Sequence, residues 1–97
     1  MNYKQKILTV MKRSKNLVGP QVRKIRAQKD WSQAVLAQKL QLLGWDVNRT
    51  SVAKLEAQLR RVTDCELLFL SKVLQVPVGD LLPRSPNLNT LGPLFRG

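Results

Sequence analysis

Apolar residues between Pro20 and Leu82 recur every three or four positions, the spacing that gathers side chains on one side of an α-helix. Val22 with Ile25, then Val35, Leu36 and Leu40, then Val52, Leu55 and Leu59 mark the inward stripes of three short helices. A fourth lies in "ELLFLSKVL". Polar residues punctuate the pattern where helix starts are expected. The first helix begins near Pro20, after Gly19, and runs to about Lys29. Ser32, Asn48 and Thr63 are suited to cap the next three, and Glu66, three residues after Thr63, completes a capping box. Trp31 with Leu36, Val47 with Val52, and Val62 with Leu67 repeat the spacing of a hydrophobic staple across each cap. A short fifth helix is expected in "VGDLL", after Pro77 and before Pro83. No stretch sustains the alternation of a strand, so the fold class is all-α, a compact five-helix domain.

The ends of the chain read differently. Residues 1–16 form a basic arm with a short helical turn expected around "QKILTVM". Residues 84–97, "RSPNLNTLGPLFRG", lack periodicity and read as a flexible tail. The folded domain is therefore placed at 17–83. Within it, the turn "QLLGWDVN" contributes Leu42, Leu43 and Trp45 to an expected small satellite core, with Trp45 read as packing rather than stacking on a base.

Charge changes the picture from a small helical domain to one with a particular kind of partner. The chain has 97 residues with 17 Lys and Arg against 6 Asp and Glu, a net charge of +11. Nine basic residues precede the first acid, Asp30. An excess of this size points to a polyanion, since about 2–8 charges suffice for solubility. No apolar run approaches the ~20 residues of a membrane span, and the start is not a secretory signal. A single cysteine, Cys65, forms no internal disulfide and suits a reducing cytoplasm. With no histidine, one cysteine, few acids and no glycine-rich phosphate loop, the residues offer no metal site, no cofactor site and no catalytic centre.

The stretch "VNRTSVAKLEAQL" gives the polyanion a place to bind. Its inward side is Val52, Leu55 and Leu59, and its outward side is Thr50, Ala53, Lys54 and Ala57, with Arg49 at its start. Preceded by a helix and a turn containing Gly44, it has the plan of a helix-turn-helix, whose second helix enters the major groove. Small Ala53 and Ala57 permit close approach, Arg49 and Lys54 reach guanine acceptors, and Thr50 suits a base edge or a thymine methyl. Ser32, besides capping its helix, presents a backbone N–H suited to a phosphate.

"VRKIRAQKDWSQAVLAQKL", "NRTSVAKLE" and "LSKVLQVPVGDLL", in this order and spacing, resemble the lambda-repressor-like (XRE-type) helix-turn-helix domain of bacterial and phage regulators, over about residues 18–83. The resemblance implies a five-helix domain that binds duplex DNA, commonly as a homodimer on a palindromic operator. It implies base-facing roles for Arg49, Thr50, Ala53 and Lys54. It implies DNA-backbone contacts for Gln33, which also helps fix the recognition helix, for Ser51, and for Arg60 and Arg61 in the following loop. It implies a buried ion pair between Arg26 and Glu56. The residues agree on the last point, because Glu56 is the only acid on the inward half of its helix and needs a partner if buried. Two departures stand out: the turn before the recognition helix is long, and the glycine often found after the Glu56 position is replaced by Ala57 and Gln58, which extends the expected helix to about residue 59 or 60.

The expected function is sequence-specific binding of double-stranded DNA by a prokaryotic or phage transcriptional regulator, repressor-like, cytoplasmic and nucleoid-associated. The alternative is an antitoxin-type module that binds a protein partner through the tail at 84–97 and its own promoter through the domain. A single-stranded RNA binder is disfavoured, since Tyr3, Trp31, Trp45, Phe69 and Phe95 form no repeated stacking platform. Helix 5 with Leu81, Leu82 and the tail is the expected dimer contact.

Overall fold

The structure, a computed structural model, describes residues 14–83. The arm through residue 13, with its expected helical turn, and the tail at 84–97 lie outside the described residues. Four α-helices follow one another: α1 (Gly19–Gln28), α2 (Gln33–Leu42), α3 (Arg49–Glu56) and α4 (Asp64–Leu74). The described residues contain no strand. The expected fifth helix is instead a single 3-10 turn, Val78–Leu81. The prolines explain the difference. Pro77 and Pro83 leave only five residues between them, and the residue before a proline is driven out of the helical region. Leu82 is extended accordingly, at φ −80°, ψ 154°.

Each helix from α2 to α4 starts at the residue whose side chain can satisfy it. Ser32 accepts from the Val35 N–H, Asn48 from Ser51 and Thr63 from Glu66. Glu66 returns a bond to the Thr63 N–H at 3.0 Å, completing the capping box. The ends are made by the backbone. After each α-helix one residue takes the left-handed conformation: Asp30, Gly44, Gln58 and Gln75. Its N–H bonds to the carbonyl three residues back, and the next N–H to the carbonyl five back, as in Trp31 to Arg26, Trp45 to Leu40, Leu59 to Lys54 and Val76 to Ser71. This is the Schellman arrangement, four times over, which satisfies carbonyls the helix leaves open.

The stop at Gln58 corrects the expected length of the recognition helix. α3 ends at Glu56, and Leu59 leaves the helix axis and is 63% exposed, so it is not part of the core. Two other inward assignments shift. Ala37 is buried where Val35 was expected, Val35 being half-buried. Leu42 and Leu43 are exposed rather than forming a satellite core. Leu42 lies two residues beyond Leu40, about 200° around the helix, and so faces away from the side Leu40 buries. Trp45 alone of the three turns inward, against the core and beside Phe69.

The core gathers Val22, Leu36, Leu40, Val52, Leu55, Leu70, Leu74 and Leu81, each at most 1% exposed. All four helices and the 3-10 turn contribute to it. The three expected staple pairs all lie in it or against it. Burying a leucine of this kind stabilises by about 1.5–3 kcal/mol, so the centre of the domain fixes how α2 and α3 sit on α1 and α4. No helix among the described residues is long and apolar enough to cross a membrane.

Candidate nucleic-acid interface

α2, the six-residue turn 43–48 and α3 form one unit. Gly44 at φ 103° is where the chain reverses, a backbone conformation that costs a side-chain-bearing residue about 1–2 kcal/mol. The Gln41 side chain then donates to the Val47 carbonyl at 2.6 Å, closing the turn over itself. Asn48 caps α3 and leaves the first turn of that helix in solvent, with Arg49 and Thr50 exposed. One turn further on, Lys54 is exposed and Ala53 half-exposed; Ser51 is half-buried and Ala57 exposed. The expected base-facing set is thus brought together on one short helix. Ser32 is exposed at the start of α2.

The only acid of α3 does not reach this face. Glu56 is 6% exposed, and its carboxylate meets Arg26 in a two-pronged pair, 2.6 Å from Nε and 3.0 Å from Nη2. The remaining Arg26 nitrogen, Nη1, donates to the Trp31 carbonyl at 2.6 Å. Gln33 Nε2 donates to the same Glu56 carboxylate at 3.0 Å. Four segments therefore meet at one carboxylate: α1 through Arg26, the α1–α2 turn through the arginine, α2 through Gln33, and α3 itself. The hydrogen bond that Arg26 donates to Glu56, and that carboxylate's charge, raise the pKa of Arg26 above its already high ordinary value, against the opposing effect of burial. A bidentate arginine whose third nitrogen is also hydrogen-bonded is the geometry that offsets the cost of removing two charges from water. Gln33, expected on the DNA backbone, is placed by the structure as the link between the two helices of the motif.

The loop after α3 separates two arginines that the sequence presents as a pair. Arg60 donates to Glu66 at 3.0 Å and lies over the Trp45 ring, 5.6 Å from its centre. Its Nη1 is buried with no hydrogen-bond partner among the described residues. Arg61 is exposed. The two are not equivalent: Arg60 ties the loop to the start of α4 and to the turn, and Arg61 faces solvent.

Sequence reasoning missed what holds the far end of α3. Asn16, assigned to the arm, donates from Nδ2 to the carbonyls of Leu55 and Arg60 at 3.1 and 2.8 Å, and its Oδ1 accepts from the Gly19 N–H at 2.8 Å. Gln58 answers by donating its side chain to the Asn16 carbonyl at 3.0 Å and accepting from the Lys15 N–H at 3.1 Å. Lys15 and Asn16 are thus tied by hydrogen bonds to the end of α3 and the loop after it. Gly19 is buried here because nothing larger fits: a Cβ would stand 2.4 Å from the Leu55 oxygen and 2.8 Å from that of Glu56. The one signal in the sequence is an Asn three residues before a Gly-Pro helix start, the spacing of a side-chain cap.

A family model described as helix-turn-helix matches residues 22–81, from within α1 to the end of the 3-10 turn. The chain belongs to the XRE-type, lambda-repressor-like helix-turn-helix family. That family is one of DNA-binding domains, so residues 22–81 belong to a DNA-binding domain. No curated protein and no solved structure matched the chain.

Proposed function

We propose that this chain is a sequence-specific regulator of transcription, repressor-like and of prokaryotic or phage origin, that lays α3 in the major groove of duplex DNA. The observation that carries the reading is the outward face of α3: Arg49, Thr50 and Lys54 exposed, Ala53 small between them, and the helix's one acid buried against Arg26. A groove about 12 Å wide admits a helix with such a face and repels one studded with carboxylates. Arg49, Thr50 and Lys54 read base edges, and Ala53 marks the closest approach. Ser32, Ser51 and Arg61 hold phosphates, and Gln33 contacts the backbone while fixing α3 through Glu56. Arg60 is assigned the smaller share of backbone contact, its head group being held by Glu66 and Trp45. The protein acts as a homodimer on a palindrome.

Selection of bound sites from random duplex DNA tests this. The expected result is a palindromic consensus with half-sites about 10–10.5 base pairs apart, centre to centre, or a multiple of that. Enrichment without any consensus would contradict sequence-specific recognition, and a single unpaired half-site would contradict the dimer.

A further inference from the structure

Part of the surface has no role in the DNA reading. Leu42, at the end of α2, is 82% exposed, and Leu68, on the outward side of α4, is 64% exposed. They border two shallow hollows. One lies between the end of α2 and the later part of α4, against Leu42, Leu43 and Lys39. The other lies on α4, against Leu68 and Phe69. Lys72 lines both, so the two hollows are neighbours on either side of it and together make a groove. Single exposed leucines are ordinary, but exposed leucines that border adjacent apolar hollows with a polar rim offer a surface for a partner.

Charge decides between occupants. The charged side chains lining the groove are Lys39 and Lys72, both basic. Lys39 is held at the rim, its Nζ 4.6 Å from the centre of the Trp31 ring. A second copy of this chain seated on this groove would bring the same lysines to a shared seam, whatever surface a homodimer uses elsewhere. An acidic partner does not meet this obstacle. We infer that this groove docks an acidic amphipathic helix of another protein. Its apolar stripe fills the two hollows and its carboxylates reach Lys39 and Lys72, the helix-in-groove mode of recognition. None of the groove residues is among those assigned to DNA, and the inference does not depend on that assignment.

The test uses the full chain, 15N-labelled, and two synthetic peptides of about 18 residues, or five helical turns. Both carry leucines at i, i+3, i+4 and i+7 spacing; one has glutamates on the flanks and the other has lysines. The expected result is binding of the glutamate peptide, with amide shifts gathered at Leu42, Leu43, Leu68 and Phe69, and no binding of the lysine peptide. The double variant Leu42→Ser, Leu68→Ser, exposed at both positions, should bind the glutamate peptide at least about tenfold more weakly, and random duplex DNA as the parent does. Shifts centred on Arg49–Glu56 would mean that the peptide only mimics a polyanion, and would overturn the inference. So would equal binding by the double variant, or no binding at about 1 mM peptide, the weak end of specific affinity. Sedimentation of the parent as a dimer that Leu68→Ser returns to monomer would make the occupant a second copy, and would overturn it as well.

Discussion

Glu56 accepts three hydrogen bonds, two from Arg26 and one from Gln33, in a position 6% exposed. Glu56→Ala strands a guanidinium whose side chain is only 13% exposed and removes the acceptor of Gln33 at once, and should lower stability by about 3–5 kcal/mol. Urea denaturation reads this; a loss under about 1 kcal/mol is the scale of an exposed pair and would mean the contact carries no structural load. The arginine's raised pKa places the loss of this pair, on the Arg26 side, only as pH climbs through the folded value, so no pH switch follows from it near neutrality. Glu56 itself is legible in the sequence as the lone acid on an inward stripe. Gln33 is legible there only through resemblance, as a DNA contact that also helps fix the recognition helix, because no pattern of spacing announces a bond between residues 23 apart. Gly19 is a further case. Its requirement comes from two carbonyls at the end of α3, brought near only by the fold, and Gly19→Ala should cost about 1–3 kcal/mol in the same assay through overpacking against rigid backbone.

At the scale of the element, helix starts are written in side chains and helix stops mostly are not. Ser32, Asn48 and Thr63 can be read directly as caps because each oxygen meets the N–H three residues on. Of the four stops, only Gly44 carries a glycine; Asp30, Gln58 and Gln75 take the left-handed conformation without one. That is why α3 reads too long from the sequence: without a glycine after Glu56, the helix is continued to about residue 59, and Leu59 is counted with the core. The same logic gives a stabilising change. Gln75 is exposed, sits at φ 58°, ψ 44°, and takes no part in the side-chain hydrogen bonds of the described residues. Gln75→Gly relieves the left-handed strain, and thermal or chemical denaturation should show a gain of up to about 1 kcal/mol. A loss instead would mean that the glutamine's packing outweighs its backbone cost. The fifth helix fails from sequence for a related reason, since the apolar pattern in "VGDLL" reports burial of Leu81 and says nothing of the hydrogen-bond register between two prolines.

For the whole molecule, the charge of +11 and the acid-free face of α3 serve different purposes. In the proposed function, overall charge draws any duplex and makes binding salt-dependent, and the face of α3 chooses among duplexes. Arg61→Ala should therefore weaken specific and random duplexes alike and reduce the slope of log affinity against log salt by about 1. Lys54→Ala should cost about 1–3 kcal/mol on the best site and much less on random DNA, if its head group bonds a base edge. Ala53 separates the account from its rivals most sharply. Ala53→Glu sets a bulky anion at the place of closest approach while leaving the core residues Val52 and Leu55 untouched. The direct measurement is a pair of titrations of Ala53→Glu and the parent, on the selected site and on a random duplex, at one stated salt concentration, with circular dichroism to establish that the helices persist. The variant should fold, lose preference for the selected site, and bind both duplexes with the same weak affinity. A folded variant that binds the selected site as tightly as the parent would contradict the proposed function, and would take α3 out of the groove.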